Sequence, residues 1–141
     1  MATQFLKTIA SRRTYYALNN NLPISTGRVQ EIVSEAIRHV PSSFNSQSNR
    51  AVVLFGAEHD KLWDITTETL KAIVPEDKWE PTANKMAMFK AGAGTILFFE
   101  DQEAVRGMQS RFAAYADRFP IWALQSDGML VSFPHWLTRC F

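Results

Sequence analysis

Residues 41–56 read Pro-Ser-Ser-Phe-Asn-Ser-Gln-Ser-Asn-Arg-Ala-Val-Val-Leu-Phe-Gly, a loop dense in hydroxyls and amides that runs directly into an unbroken apolar stretch. The apolar part, residues 51–55, is short, rich in β-branched side chains and closed by Gly56. That pattern predicts a central strand buried on both faces. The polar part, Pro41 to Gln47, crowds small donors and acceptors together. Asn and Gln each carry a donor and an acceptor on one amide, which suits the alternating edge of a heteroaromatic ring. The same residues also suit an ordinary helix-to-strand connection, where they satisfy turn backbone. These residues alone leave both readings open.

Upstream of the loop, Val29, Ile32, Val33, Ala36, Ile37 and Val40 recur at the spacing of one buried helix face, after the capping candidates Ser25 and Thr26. Pro41 stops that helix. Nearer the N-terminus, Phe5, Leu6 and Ile9 give a short amphipathic segment that ends near Ser11-Arg12-Arg13-Thr14. Planar guanidinium forks beside hydroxyls make a phosphate grip. A helix end whose basic residues complement the helix dipole is the alternative.

Downstream, Leu62, Ile65, Leu70 and Ile73 predict a helix with those residues inside, ending at Pro75. Residues 81–90 predict another, with Met86, Met88 and Phe89 turned to the core. Gly92-Ala93-Gly94 then reads as close packing ahead of a second buried strand over 95–99. Asp101 caps a further helix in which Val105, Met108, Phe112, Tyr115 and Phe119 form one stripe; Pro120 breaks it, and Trp122 to Leu130 start the last. The order α-α-β-α-α-β-α-α gives an α+β fold. Two strands are rarely stable alone, so more strands are expected, from a partner or from a missing part of the domain.

The 141 residues are 46% hydrophobic, enough for one packed domain. Fifteen Lys/Arg against fourteen Asp/Glu leave a net charge of +1, which offers no electrostatic footprint for nucleic acid or an anionic membrane. No apolar run approaches the length of a membrane span. The N-terminus lacks the charged-then-apolar order of a secretory signal, and the single Cys140 fits a reducing compartment. The expectation is a cytoplasmic protein, with the nucleus also compatible. His39, His59 and His135 have no ligand-spaced Cys or carboxylate, so no metal site is expected. No GxSxG, P-loop or GxGxxG motif occurs.

Arg12-Arg13-Thr14 followed some thirty residues later by Pro-Ser-Ser-x-Asn-x-Gln before a strand resembles the nitroreductase family, and in particular a fungal branch of it. Residues 41–47, 51–58, 89–101 and 119–128 carry the resemblance, which extends from residue 3 to about 130. It implies a nitroreductase-like fold with a central mixed sheet flanked by helices, assembled as a homodimer with FMN at the interface. It also implies a ping-pong NAD(P)H oxidoreductase acting on nitroaromatics or quinones, with a place in the oxidative stress response. By position, Arg12, Arg13 and Thr14 would hold the flavin phosphate and ribityl chain. Ser42, Ser43, Asn45 and Gln47 would approach the ring, and Lys85 or Lys90 would supply a further basic contact. Tyr16 stands where many members have a basic residue.

The resemblance ends close to Leu130. Residues 131–141 show no helical period, and Pro134 is expected to interrupt the helix that family members place here. Phe133, Trp136, Leu137 and Phe141 would then be apolar in an exposed tail. The expected organisation is therefore a partial nitroreductase-like domain over 1–130 and a divergent tail over 131–141. Val131-Ser132 can be encoded by the nucleotides that open an intron, which makes translated intron one origin for the tail. A chain cut short there is expected to bind FMN weakly or not at all. The alternative function is then a non-catalytic remnant or regulatory dimer partner.

Overall fold

A computed structural model of the chain describes residues 2–137. Its helices are α1 (Ala2–Ser11), α2 (Thr26–His39), α3 (Ala57–Lys71), α4 (Trp79–Lys90), α5 (Gln102–Arg111) and α6 (Phe119–Leu137). The strands are β1 (Asn49–Phe55) and β2 (Gly94–Glu100), paired antiparallel; short 3₁₀ turns fill 43–45, 76–78 and 113–115. The α+β order expected from the sequence is therefore present.

Contacts divide the chain into two compact units. The first comprises residues 1–13, 27–52 and 97–141, the second 14–26 and 53–96. Each strand passes from one unit to the other, so β1 residues 49–52 and β2 residues 97–100 belong to the first. In that unit Ala36 and Val40 meet Leu130 of α6, with Ile37 and Phe98 packed against them. A second cluster joins Val105 of α5 to Phe119 and Ala123 of α6, flanked by Met108, Phe112 and Trp122.

The second unit packs α3 on α4, with the Trp63 and Phe89 rings 5.1 Å apart. Its register differs from the one expected. Ile65 is 54% exposed and Ile73 72%, while His59 is buried and Leu62, Trp63, Thr66, Thr67 and Leu70 are half-buried. The inner stripe is 59-62-63-66-67-70, an i, i+3, i+4 pattern that a count of apolar residues misses. Thr66 and Thr67 fit there because each hydroxyl donates to the carbonyl four residues back, at 2.8 and 2.6 Å. Met86, Met88 and Phe89 on α4 are half-buried rather than core.

Three further expectations are corrected. Neither strand is buried on both faces: β1 and β2 are mostly half-buried and Val52 is 44% exposed, and among the described residues each strand has one neighbour. The helix after Asp101 ends at Arg111, where Phe112 leaves helical geometry with φ −126° and ψ 64°. Pro120 stands in the first turn of α6, where its missing N–H is an orphan in any case. Finally, α6 continues past Pro134 to Leu137. An interior proline costs about 3 kcal/mol through one lost backbone bond and a steric clash, and the turns on either side still carry the helix. Side chains at 132–137, and Cys140 and Phe141 with the rest of 138–141, lie outside the described residues.

Gly94 behaves as expected. A Cβ there would fall 2.7 Å from the Leu54 carbonyl oxygen, so the strands approach only because the side chain is absent. Asp101 also caps α5 as expected: its Oδ1 accepts from the backbone N–H of Glu103 at 2.9 Å and of Ala104 at 3.3 Å. Those two bonds hold its carboxyl below the usual carboxylate range.

Candidate functional site

The 42–47 loop closes on its own hydrogen bonds. Asn45 N–H donates to the Ser42 carbonyl at 2.9 Å, Ser46 N–H to the Ser43 carbonyl at 3.1 Å, and Gln47 N–H to Ser42 Oγ at 2.9 Å. Such tight closure forces three residues other than glycine into the left-handed region: Phe44 at φ 55°, Asn45 at 54° and Gln47 at 51°. Asn tolerates that conformation, whereas a bulky Phe rarely adopts it. What holds Phe44 there is a ring of aromatics: Phe112 at 4.8 Å, Phe119 at 5.5 Å, Tyr115 at 5.7 Å and Trp122 stacked at 5.8 Å.

With its backbone fixed, the loop turns Ser42, Asn45 and Gln47 onto a cavity of about 430 Å³ whose other walls include Arg38, Asn49 and Arg50. Ser43 does not line it. Among the described residues the side-chain amides of Asn45 and Gln47 make no hydrogen bond, so their donors and acceptors stay available. Arg38 pairs with Glu35 at 2.8 Å. Arg50 pairs with Asp101 at 2.8 Å and donates to the backbone carbonyls of Gln47 and Asn49, each at 2.9 Å.

Behind the cavity lies a buried polar knot absent from the sequence reading. Asn49 Nδ2 spends both hydrogens on carboxylates, Glu100 Oε1 at 2.9 Å and Asp127 Oδ1 at 2.8 Å. Ser48 Oγ and Glu100 Oε2 are buried without a hydrogen-bond partner. Burial pushes the Glu100 carboxyl above the usual carboxylate range. The Ser48 hydroxyl is close enough to oppose the rise although it is not aimed for a hydrogen bond, and Asp127 adds to it. Only the antiparallel register sets Asn49 beside Glu100; the single signal in the sequence is a polar residue adjoining each strand's apolar run.

Arg12, Arg13 and Thr14 sit just beyond α1 and are exposed. Arg13 Nη1 donates to the carbonyls of Ala10 and Arg12, both at 2.7 Å, so in this structure its guanidinium caps the helix end. Tyr16 is exposed as well.

In the second unit a separate cavity of about 580 Å³ is lined by Asn19, Asn20, Gly56, His59, Asp60 and Lys90, among others. Lys90 Nζ contacts Asp64 at 2.6 Å, a hydrogen bond that holds the ammonium above its usual range; Lys85 is exposed. His59 is locked structurally. A carbonyl can only accept, so Nε2–H donates to the Lys90 carbonyl at 3.0 Å, and Nδ1 accepts from the Thr95 hydroxyl at 2.8 Å. That hydroxyl accepts in turn from Trp63 Nε1–H at 3.0 Å. Among the described residues no cluster of three potential metal ligands occurs.

A helix-flanked antiparallel strand pair makes this an α+β protein, with a strained polar loop facing a cavity. The chain belongs to the nitroreductase family, whose sequence profile matches residues 9–132, and that family is one of oxidoreductases. Two relatives from Saccharomyces cerevisiae align over 126 residues: HBN1 at 36% identity and the nitroreductase FRM2 at 32%. Each alignment covers 88% of this chain and 62% of the relative, so the chain spans less than two thirds of their length. Among solved structures, nitroreductase CinD from Lactococcus lactis superposes with a TM-score of 0.81 at 42% identity, covering 96% of this chain and 69% of that one. CinD has been solved in complex with nicotinic acid, with chloramphenicol and with 4-nitrophenol. Among the described residues no helix is long and apolar enough to cross a membrane.

Proposed function

We propose that this chain carries its family's oxidoreductase chemistry through FMN, as a homodimer in the cytoplasm that takes hydride from NAD(P)H and delivers it to a nitroaromatic or quinone. The observation that carries the reading is the pair of unengaged amides, Asn45 and Gln47, presented to a cavity by a backbone held in a costly conformation. Strain of this kind persists where surrounding structure over-determines it, typically at ligand-binding sites. Alternating amide donors and acceptors fit the edge of an isoalloxazine ring. When bound, FMN would supply the electron-accepting ring that takes up and passes on hydride.

The protein's part is to hold and orient. Ser42, Asn45 and Gln47, which line the cavity, would meet the ring edge. Arg12, Arg13 and Thr14 would take the phosphate and ribityl chain, Arg13 exchanging its helix-end carbonyls for phosphate oxygens. Those bonds are to neutral acceptors, and a doubly charged phosphate is the stronger partner for a guanidinium.

Quenching of flavin fluorescence on titrating FMN into the purified chain tests the reading directly, with Asn45→Ala and Gln47→Ala as loop controls. Weak but saturable binding that loosens about tenfold in either variant is expected, each amide contributing on the order of one hydrogen bond. NADPH oxidation with 4-nitrophenol, a ligand on which CinD was solved, then separates the outcomes. Turnover supports the enzyme. Flavin binding without turnover would instead assign a non-catalytic partner, and no saturable binding would defeat the flavin reading.

A further inference from the structure

We infer that Arg50 is a positioning residue for the 42–47 loop, a strut that fixes the Gln47 backbone against the capped start of α5. Gln47 is the left-handed residue closest to the strand, and both of its backbone groups are held. Its N–H donates to Ser42 Oγ at 2.9 Å. Its carbonyl accepts from Arg50 Nη1 at 2.9 Å, and the second Nη1 hydrogen goes to the Asn49 carbonyl at the same distance. Arg50 Nη2 reaches Asp101 Oδ2 at 2.8 Å.

Asp101 can serve this strut without giving up its cap, because its two oxygens divide the work. Oδ1 accepts from the first turn of α5 while Oδ2 takes Arg50. Its own N–H donates to the Ser48 carbonyl at 2.8 Å, which sets the carboxylate one residue from the loop's end. A planar guanidinium can satisfy two carbonyls and a carboxylate at once through separate nitrogens; an ammonium, a single point of charge, cannot span them. Because the Arg50 side chain is 54% exposed and that of Asp101 33%, the ion pair adds little to global stability. Its effect falls instead on which way the Gln47 amide points into the cavity.

The inference rests on the flavin reading only for its consequence, so two measurements are needed on the full chain. Amide hydrogen exchange at Gln47 reports the strut itself. Arg50→Gln and Asp101→Asn are each expected to accelerate it about five- to tenfold, with the unfolding midpoint nearly unchanged, since Asn is also a good helix cap. The double variant should accelerate it no further than Arg50→Gln alone, because Asp101 acts on the loop only through Arg50. Arg50→Lys should recover only part of the protection. Unchanged exchange in both single variants, additive acceleration in the double, or full recovery by lysine would each overturn the strut. The FMN dissociation constant is the second readout, expected to rise about fivefold in Arg50→Gln. If the parent chain binds no FMN, the flavin reading fails while the exchange data still decide the strut. If the parent binds and Arg50→Gln binds equally well, Arg50 does not position the loop for its ligand.

Discussion

Replacing Phe44 tests both the conformation of the loop and what anchors it. The ring is 49% exposed, so it withdraws about half of what a buried phenylalanine would from water. Truncating a buried Phe to Ala typically costs about 3–5 kcal/mol, and half of that is about 2 kcal/mol. The four neighbouring rings, at centroid distances of 4.8 to 5.8 Å, add at most a fraction of a kilocalorie each at this exposure. Phe44→Ala should therefore lose about 2 kcal/mol in urea unfolding at 25 °C, followed by circular dichroism. Phe44→Gly supplies the sharper comparison. At an ordinary position glycine is worse than alanine by about 0.5–1 kcal/mol, owing to the entropy of the unfolded chain. At φ 55° alanine retains a left-handed penalty of about 1–2 kcal/mol that glycine escapes. The order should thus invert or level, with Phe44→Gly at least as stable as Phe44→Ala. A glycine variant clearly below the alanine one would refute the left-handed backbone. A loss under about 0.5 kcal/mol in both would refute the anchor.

Thr95→Val keeps the shape of the side chain but strands His59 Nδ1, which is buried, and Trp63 Nε1, which is half-buried, and the two unpaired groups should cost about 2–3 kcal/mol by chemical denaturation. Trp63→Phe removes a donor and leaves the Thr95–His59 bond intact, so its loss should be the smaller; equal losses would mean the hydroxyl does not join the two rings. The Glu100 carboxyl gives a pH test. Its folded pKa is raised, chiefly by burial, so the folded state holds this proton more tightly than the unfolded one. Stability at this group is then full below the unfolded value of about 4.5 and declines as pH rises through the raised folded value. Glu100→Gln should accordingly raise the melting temperature at pH 7, and the gain should shrink as pH falls toward 4.5. Asp101, held low by its backbone bonds, acts in the opposite sense, its contribution being lost only as pH drops below 3.8, outside that window.

Signals that act within a few residues were legible in the sequence. Asp101 announces its cap because the free N–H donors of a helix start lie two and three residues away. Gly94 announces a close approach because it is a glycine placed at the entry to an apolar strand, where a side chain would hold neighbouring backbone away. The α2 face from Ile32 to Val40 was legible because its apolar spacing has no competitor. Where the reading slipped, a polar residue had taken an interior place through bonds with distant partners. His59 is buried because Thr95 and the Lys90 carbonyl, more than thirty residues away, satisfy its ring. With that residue omitted, Ile65 and Ile73 set the wrong register for α3. The early end of α5 has another cause: Phe112 leaves helical geometry within the aromatic cluster around Phe44, so an apolar stripe extended past it overstates the helix.

The loop shows this division most clearly. Its donors and acceptors were readable from Pro41 to Gln47, but their presentation was not, since local closure alone does not keep Phe44 left-handed. Three such residues cost about 1 kcal/mol each or more, a sum that the loop's own three backbone-closing hydrogen bonds, each worth about 1 kcal/mol net, only match. Closure alone would leave the loop poised between conformations. The margin comes from outside it, from the aromatic ring around Phe44 at one end and the Arg50 contact with Gln47 at the other. Asn45 lies between these two anchors. The amides therefore face the cavity because residues 112–122 and Asp101, far away in sequence, hold the backbone that carries them.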